Sequence, residues 1–193
     1  MNMTTADADR RTLLIAFLAN IAMFAIGIVG WISAESSGLL ADALDMLADA
    51  SGYVLAWVAV GRSKHLQANA ARWNGALLIL LGLGVIGEAI HHWIHGSEPV
   101  GLLIINFSLL SLVVNGSVLR MLSRYRDAEE VHLRATWRDT RADVLVNIGV
   151  LLSGAAIALT GYRYFDLIAG IAISLYVIHE GAEIWRDAND AEH

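Results

Sequence analysis

The chain has no cysteine, and only one of its 193 residues is proline. Without thiols there can be no thiolate metal site, no disulfide and no thiol redox chemistry, and cysteine usage says nothing about the compartment. The sequence also lacks a nucleotide-binding loop, a glycine-rich phosphate cradle and a nucleophile elbow, so neither ATP-driven work nor nucleophilic catalysis finds a motif here. Positive charge is in deficit: the formal net charge is −6, which argues against a nucleic-acid partner.

What the chain does have is apolar length. Hydrophobic residues make up 56% of it and the mean hydropathy is +0.55, too apolar for a soluble domain of this size. A helix needs roughly 20 apolar residues to cross about 30 Å of hydrocarbon. Six such runs can be marked, at 12–33, 38–60, 73–95, 101–123, 139–159 and 165–185. The reading is an all-α, polytopic membrane protein with six transmembrane helices. Residues 1–11 form a cytoplasmic N-terminal segment, 12–186 the six-helix domain, and 187–193 a short cytoplasmic tail. The first run follows Arg10 and Arg11 and ends near a weak cleavage-like Ile32-Ser33-Ala34. Its apolar stretch exceeds the roughly 7 to 15 residues of a signal-peptide core, which favours a retained first helix.

Orientation follows from the basic residues. With six spans, all 13 lysines and arginines except Arg163 fall on the side that holds both termini, which marks that side as cytoplasmic. The outward connections, 34–37, 95–100 and 161–164, are short and read as tight helical hairpins. The longest cytoplasmic connection, 120–138, is basic and helix-like, with Glu130 placed to pair with Arg134. Trp31, Trp73, Trp93, Tyr162, Tyr164 and Trp185 lie near span ends and read as interfacial anchors.

Against this apolar background the carboxylates stand out. Asp45 and Asp49 lie one helical turn apart in LLADALDMLADASGY, where an aspartate costs about 2.5 to 3.5 kcal/mol on insertion scales. Asp42, Asp45 and Asp49 are spaced three and four, and Asp139, Asp143 and Asn147 four and four, so each set shares one helical face. Two helices that face each other with carboxylate pairs offer oxygen ligands to a divalent cation, whose charge offsets their mutual repulsion. Without the metal, crowded carboxylates take up protons, so metal binding releases them and metal-for-proton exchange follows from the site's own chemistry.

Each element also has a plainer reading. Asp139, beside Arg138, suits a solvated turn, and Asp42, near the outer end of its run, suits capping, packing or lining an access path. His91, His92, His95 and Glu98 could form an outward-facing metal collector, since His91 and His95 share a helical face, but they read better as a wet interfacial cluster. Glu88, Asn20, Asn106 and Asn115 read as interhelical hydrogen-bond partners. One geometric condition attaches to a four-aspartate site. At 1.5 Å per residue Asp143 sits much farther below the end of its run than Asp49 does, so the pairs meet only if the fifth helix ends early, near Ala155, or is strongly offset.

With both pairs placed, the chain resembles the cation diffusion facilitator family of divalent-metal/proton antiporters, over nearly its whole length. LLADALDMLAD resembles the family signature and maps its metal ligands to Asp45 and Asp49; WRDTRADVLVNIGVLLSG maps the second pair to Asp139 and Asp143. GEAIHHW, LVVNGSVL and YFDLIAGIAISL are similar to other family segments. The resemblance implies export of a divalent cation from the cytoplasm in exchange for protons, by alternating access in a homodimer. It also implies no enzymatic activity, no cofactor beyond the transported ion and, on this reading, a bacterial inner (plasma) membrane. Three departures stand out. All four ligand positions are aspartate where zinc-carrying members keep a histidine, which widens the expected ions from zinc to manganese, iron(II), cadmium and cobalt. The histidine-rich cytoplasmic loop is absent, with only His65 and His132 in the corresponding loops, and the cytoplasmic metal-sensing domain expected after the sixth span is missing, so a dimer would be held by membrane helices. Rival readings are a non-transporting metal-binding membrane subunit and a metal-dependent intramembrane enzyme.

Overall fold

The computed structural model describes residues 5–59, 64–123, 126 and 131–190, and among them it is entirely helical. In chain order the helices are α1 (Thr5–Ala34), α2 (Ser37–Ala59), α3 (Lys64–His95), α4 (Gly101–Leu122), α5 (Val131–Thr160) and α6 (Tyr164–Asp190). The six apolar runs each become one helix. Helices α1, α3, α5 and α6 begin or end several residues beyond the apolar runs. Those extensions are polar, and hydropathy registers the hydrocarbon-compatible part of a helix but not its continuation into the interface.

Five of the helices are long and apolar enough to cross a membrane, and α2 is the exception because it carries Asp42, Asp45 and Asp49. The chain is a multi-pass integral membrane protein. Large apolar side chains such as Leu80, Leu102, Leu152 and Leu159 project outward, as lipid-facing positions must.

Helix α2 sits at the centre and touches each of the other five. Residues 36–46 are all buried, so the helix least compatible with lipid is the one most shielded from it. Around it, α1 packs on α2, α4 on α5, and α3 on α6, the last being the most extensive pairing. That pairing rests on close backbone approach: a Cβ on Gly181 would lie 2.7 Å from the Gly75 carbonyl oxygen.

The outward hairpins are as short as the sequence suggests. Gly96 and Gly161 end α3 and α5 at φ of 92° and 72°, where a side chain would be strained, and each N–H closes on a carbonyl four residues back. The α1–α2 turn instead places Glu35 at φ 49°. Glu130 lies outside the described residues, as do the side chains of Arg134, His65 and His132, so neither the predicted Glu130–Arg134 pair nor the two histidines are described.

The start of α2 is held by another helix. Asp166, fully buried on the first turn of α6, accepts hydrogen bonds from the Ser36 hydroxyl, from the Ser37 N–H at 2.7 Å and from the Gly38 N–H at 3.2 Å. A carboxylate is thus supplied across the bundle to the exposed donors of a helix N-terminus, where its charge is favourable. Gly170, one turn on, fits against the Ser37 backbone.

Hydrogen bonds to a charged acceptor contribute about 1.5 to 3 kcal/mol each, so Asp166→Ala should destabilise the protein by at least roughly 2 kcal/mol. Thermal unfolding in detergent should show a clear drop in midpoint, with Asp166→Asn, which keeps part of the acceptor set, in between.

Candidate functional site

The carboxylates meet where α2 and α5 cross. Asp45 and Asp143 are 3% and 4% exposed, and Asp49 is half-buried. Asp143 lies close enough to Asp45 and Asp49 to interact with both, so α5 brings one carboxyl group up to the α2 pair.

The geometric condition set by the sequence is met by offset. Helix α5 runs on to Thr160, and Gly101, at the outward start of α4, lies against Ala158. By helical rise Asp49 is about 18 Å from the start of α2 and Asp143 about 26 Å from the end of α5, so the two helices are staggered by roughly 8 Å. Asp139 stands on α5, but its side chain lies outside the described residues. Among the described residues no three His, Asp or Glu side chains are grouped so as to hold a metal ion.

Two polar groups extend the cluster outward. Asp42 is 3% exposed and accepts a hydrogen bond of 3.1 Å from the Ser111 hydroxyl of α4. Asn147, one turn beyond Asp143, is completely buried, and neither its Oδ1 nor its Nδ2 has a hydrogen-bond partner. Asp143 Oδ2 is likewise unpartnered.

One contributor was missed by sequence reasoning. Glu180 on α6 acts electrostatically on both Asp45 and Asp143, bringing a third helix to the cluster. The signal was present, since a carboxylate inside the sixth apolar run calls for the same scrutiny as one inside the second. Its position near the end of that run made it look like a boundary residue.

The outward histidines do not converge. His91 and His95 stack with ring centroids 4.4 Å apart, and His95 Nδ1 contacts the His91 carbonyl at 3.2 Å. His92 turns away from them, with Nε2 3.2 Å from Glu88 and Nδ1 3.1 Å from the Ser37 hydroxyl. Glu88 therefore serves the packing at the start of α2, in line with its reading as a polar partner within the bundle.

Residues 13–190 match the cation efflux transmembrane domain. The chain belongs to the cation efflux, or cation diffusion facilitator, family. It is 26% identical to the zinc transporter ZitB of Yersinia pestis, covering 97% of this chain and 63% of that protein. It is also 26% identical to a cadmium, cobalt and zinc/H(+)-K(+) antiporter of Bacillus subtilis, covering 94% and 62%. With the metal cation efflux system protein CzcD of Cupriavidus metallidurans the identity is 23%, over 88% of this chain and 57% of the relative. The chain thus spans less than two thirds of the length of these relatives, which are named as transporters or efflux proteins and not as enzymes.

Crowding carboxyl groups in a dry interior costs stability, and removing one relieves it. Asp143→Asn should therefore raise the thermal midpoint of the metal-free protein in detergent, whereas an aspartate with a purely structural role would lower it on replacement.

Proposed function

We propose that this cation efflux domain moves a divalent metal ion out of the cytoplasm in exchange for protons, with Asp45, Asp49, Asp139 and Asp143 as the ion's ligands. The observation that carries the reading is the approach of the buried Asp143 of α5 to both Asp45 and Asp49 of α2. Carboxylates in this arrangement have one way to escape their mutual repulsion as anions, which is to surround a cation, and another as neutral groups, which is to share protons. The two states exclude each other. Alternation between them is antiport in chemical form, with opposite faces of the bundle opening in turn.

The wider setting is proposed on the same footing. Six spans place both termini in the cytoplasm, which agrees with the distribution of basic residues, and α2 crosses the membrane inside a sheath of the other five helices. Assembly as a homodimer through membrane helices, in a bacterial inner membrane, follows the family resemblance. The named substrates of the relatives include zinc, cadmium and cobalt. An all-oxygen ligand set extends the candidates to manganese and iron(II), because hard cations lose less without a nitrogen ligand.

Glu180 supplies negative charge from α6 without belonging to either pair. A charge acting through protein of effective dielectric about 20 contributes on the order of 1 kcal/mol, so Glu180→Gln should weaken metal binding about fivefold and leave the ion selectivity unchanged. Calorimetric titration of the purified protein with zinc and manganese checks both points.

The central test is flux into proteoliposomes. Asp49→Asn should abolish uptake of zinc or manganese, and uptake at the wild-type rate would sink the assignment of the site. Wild-type flux should rise with an imposed gradient of protons opposed to the metal, and flux indifferent to that gradient would remove the antiport while leaving the site in place. A competition panel of zinc, manganese, cadmium, cobalt and iron(II) orders the ions.

A further inference from the structure

The carboxylate cluster has a second polar layer outward of it. Asp42 lies three residues toward the outer end of α2 from Asp45, and Asn147 four residues toward the outer end of α5 from Asp143. Their displacements by helical rise are about 4.5 and 6 Å. Because Asp143 lies against Asp45 and Asp49, Asp42 and Asn147 stand on the same side of the cluster, at levels within about one helical turn of each other. The third member comes from α4, where the Ser111 hydroxyl holds one oxygen of Asp42. All three are buried, at 3%, 0% and 2% exposure.

Asn147 is the telling residue. A buried amide normally finds partners for both ends, because leaving them unmade is destabilising, yet neither its oxygen nor its nitrogen has one. Its face of α5 is the face of Asp143, so it stands one turn beyond the crossing that the ion is proposed to occupy. An unpaired carbonyl oxygen, a carboxylate and a hydroxyl on the same side of the cluster form a set of hard oxygen donors suited to a divalent cation.

We propose that Asp42, Ser111 and Asn147 form a second cation station, which receives the ion from the carboxylate cluster as it leaves toward the outer face. This rests on the reading of Asp45, Asp49, Asp139 and Asp143 as the primary site. The charge difference gives the station its purpose. It has one carboxylate where the primary site has four, so it holds the cation more weakly and passes it on, as stepwise release through adjacent sites requires. The serine hydroxyl keeps the Asp42 carboxylate turned toward α4.

A station on the exit path affects turnover and leaves binding at the primary site intact. Zinc and manganese are the probes, with affinity read by calorimetry on the purified full chain and turnover by uptake into proteoliposomes. Asn147→Leu should unfold no earlier than wild type and bind metal within about twofold of it, yet turn over at least about tenfold more slowly; Asn147→Asp, which keeps the oxygen, should stay within about threefold of wild-type turnover. Turnover of Asn147→Leu within twofold of wild type overturns the proposal. So does a parallel loss of binding and turnover, which would make Asn147 part of the primary site. Should Asn147→Leu fail to fold, Asp42→Asn reads the same station from α2, with the same split expected and the same two outcomes against it. Asp49→Asn runs alongside: if that variant transports normally the primary site itself is wrong, and if it loses binding while Asn147→Leu is unaffected only the station falls.

Discussion

The burial of three aspartates on one helix is the constraint from which the architecture follows. An aspartate at the centre of a membrane costs about 2.5 to 3.5 kcal/mol, so α2 with its three would be expelled from lipid as an isolated helix. It is retained because the other five helices surround it. They carry the apolar exterior and α2 carries the chemistry. This division explains why α2 alone falls outside the membrane-compatible class by composition while being the most deeply enclosed element.

Enclosure alone does not fix where along its axis α2 sits, and a shift of one residue would rotate every aspartate by about 100° away from α5. Position is set at the outward end. Asp166 of α6 binds the first N–H groups of α2, and Gly170 one turn later lets the two backbones approach. His92 of α3 reaches the Ser37 hydroxyl from another side. Helices α3 and α6 are themselves joined at Gly75 and Gly181, so the pair acts as one body that grips the top of α2. The same pair presents Glu180 to the carboxylate cluster near its other end. Any movement of α3 and α6 relative to α2 therefore alters both the anchor of the helix and the field at its aspartates.

Much of this was legible in the sequence, and the remainder divides by physical cause. Apolar runs give the helices and their order because hydrocarbon thickness imposes a length. Spacings of three and four give the shared faces of Asp42, Asp45 and Asp49 and of Asp143 and Asn147, because 3.6 residues per turn leaves no other arrangement. The contact between the two sets was not legible, since it depends on the stagger of α5 against α2, which the spacing within either helix does not contain. The cap supplied by Asp166 was hidden for a similar reason: its donors lie 128 to 130 residues away in the chain. The shared face of His91 and His95 was legible from their spacing, and their rings stack on it.

The ligand chemistry and the stability of the bundle pull in opposite directions, and their balance bears on which ion suits the site. Crowded aspartates repel one another unless protons or a cation offset their charge, so on the proposed function a cation that binds Asp45, Asp49 and Asp143 would displace protons. With histidine in place of an aspartate, a neutral ligand would lower that internal repulsion and favour ions that prefer nitrogen. Here every proposed ligand position is a carboxylate. A site of that composition would select more by charge than by softness, and discrimination among divalent ions would fall to cavity size, the tolerance of each ion for oxygen and the ease of shedding water. Selectivity would then rest on geometry, which in this bundle is set by the stagger of α2 against α5.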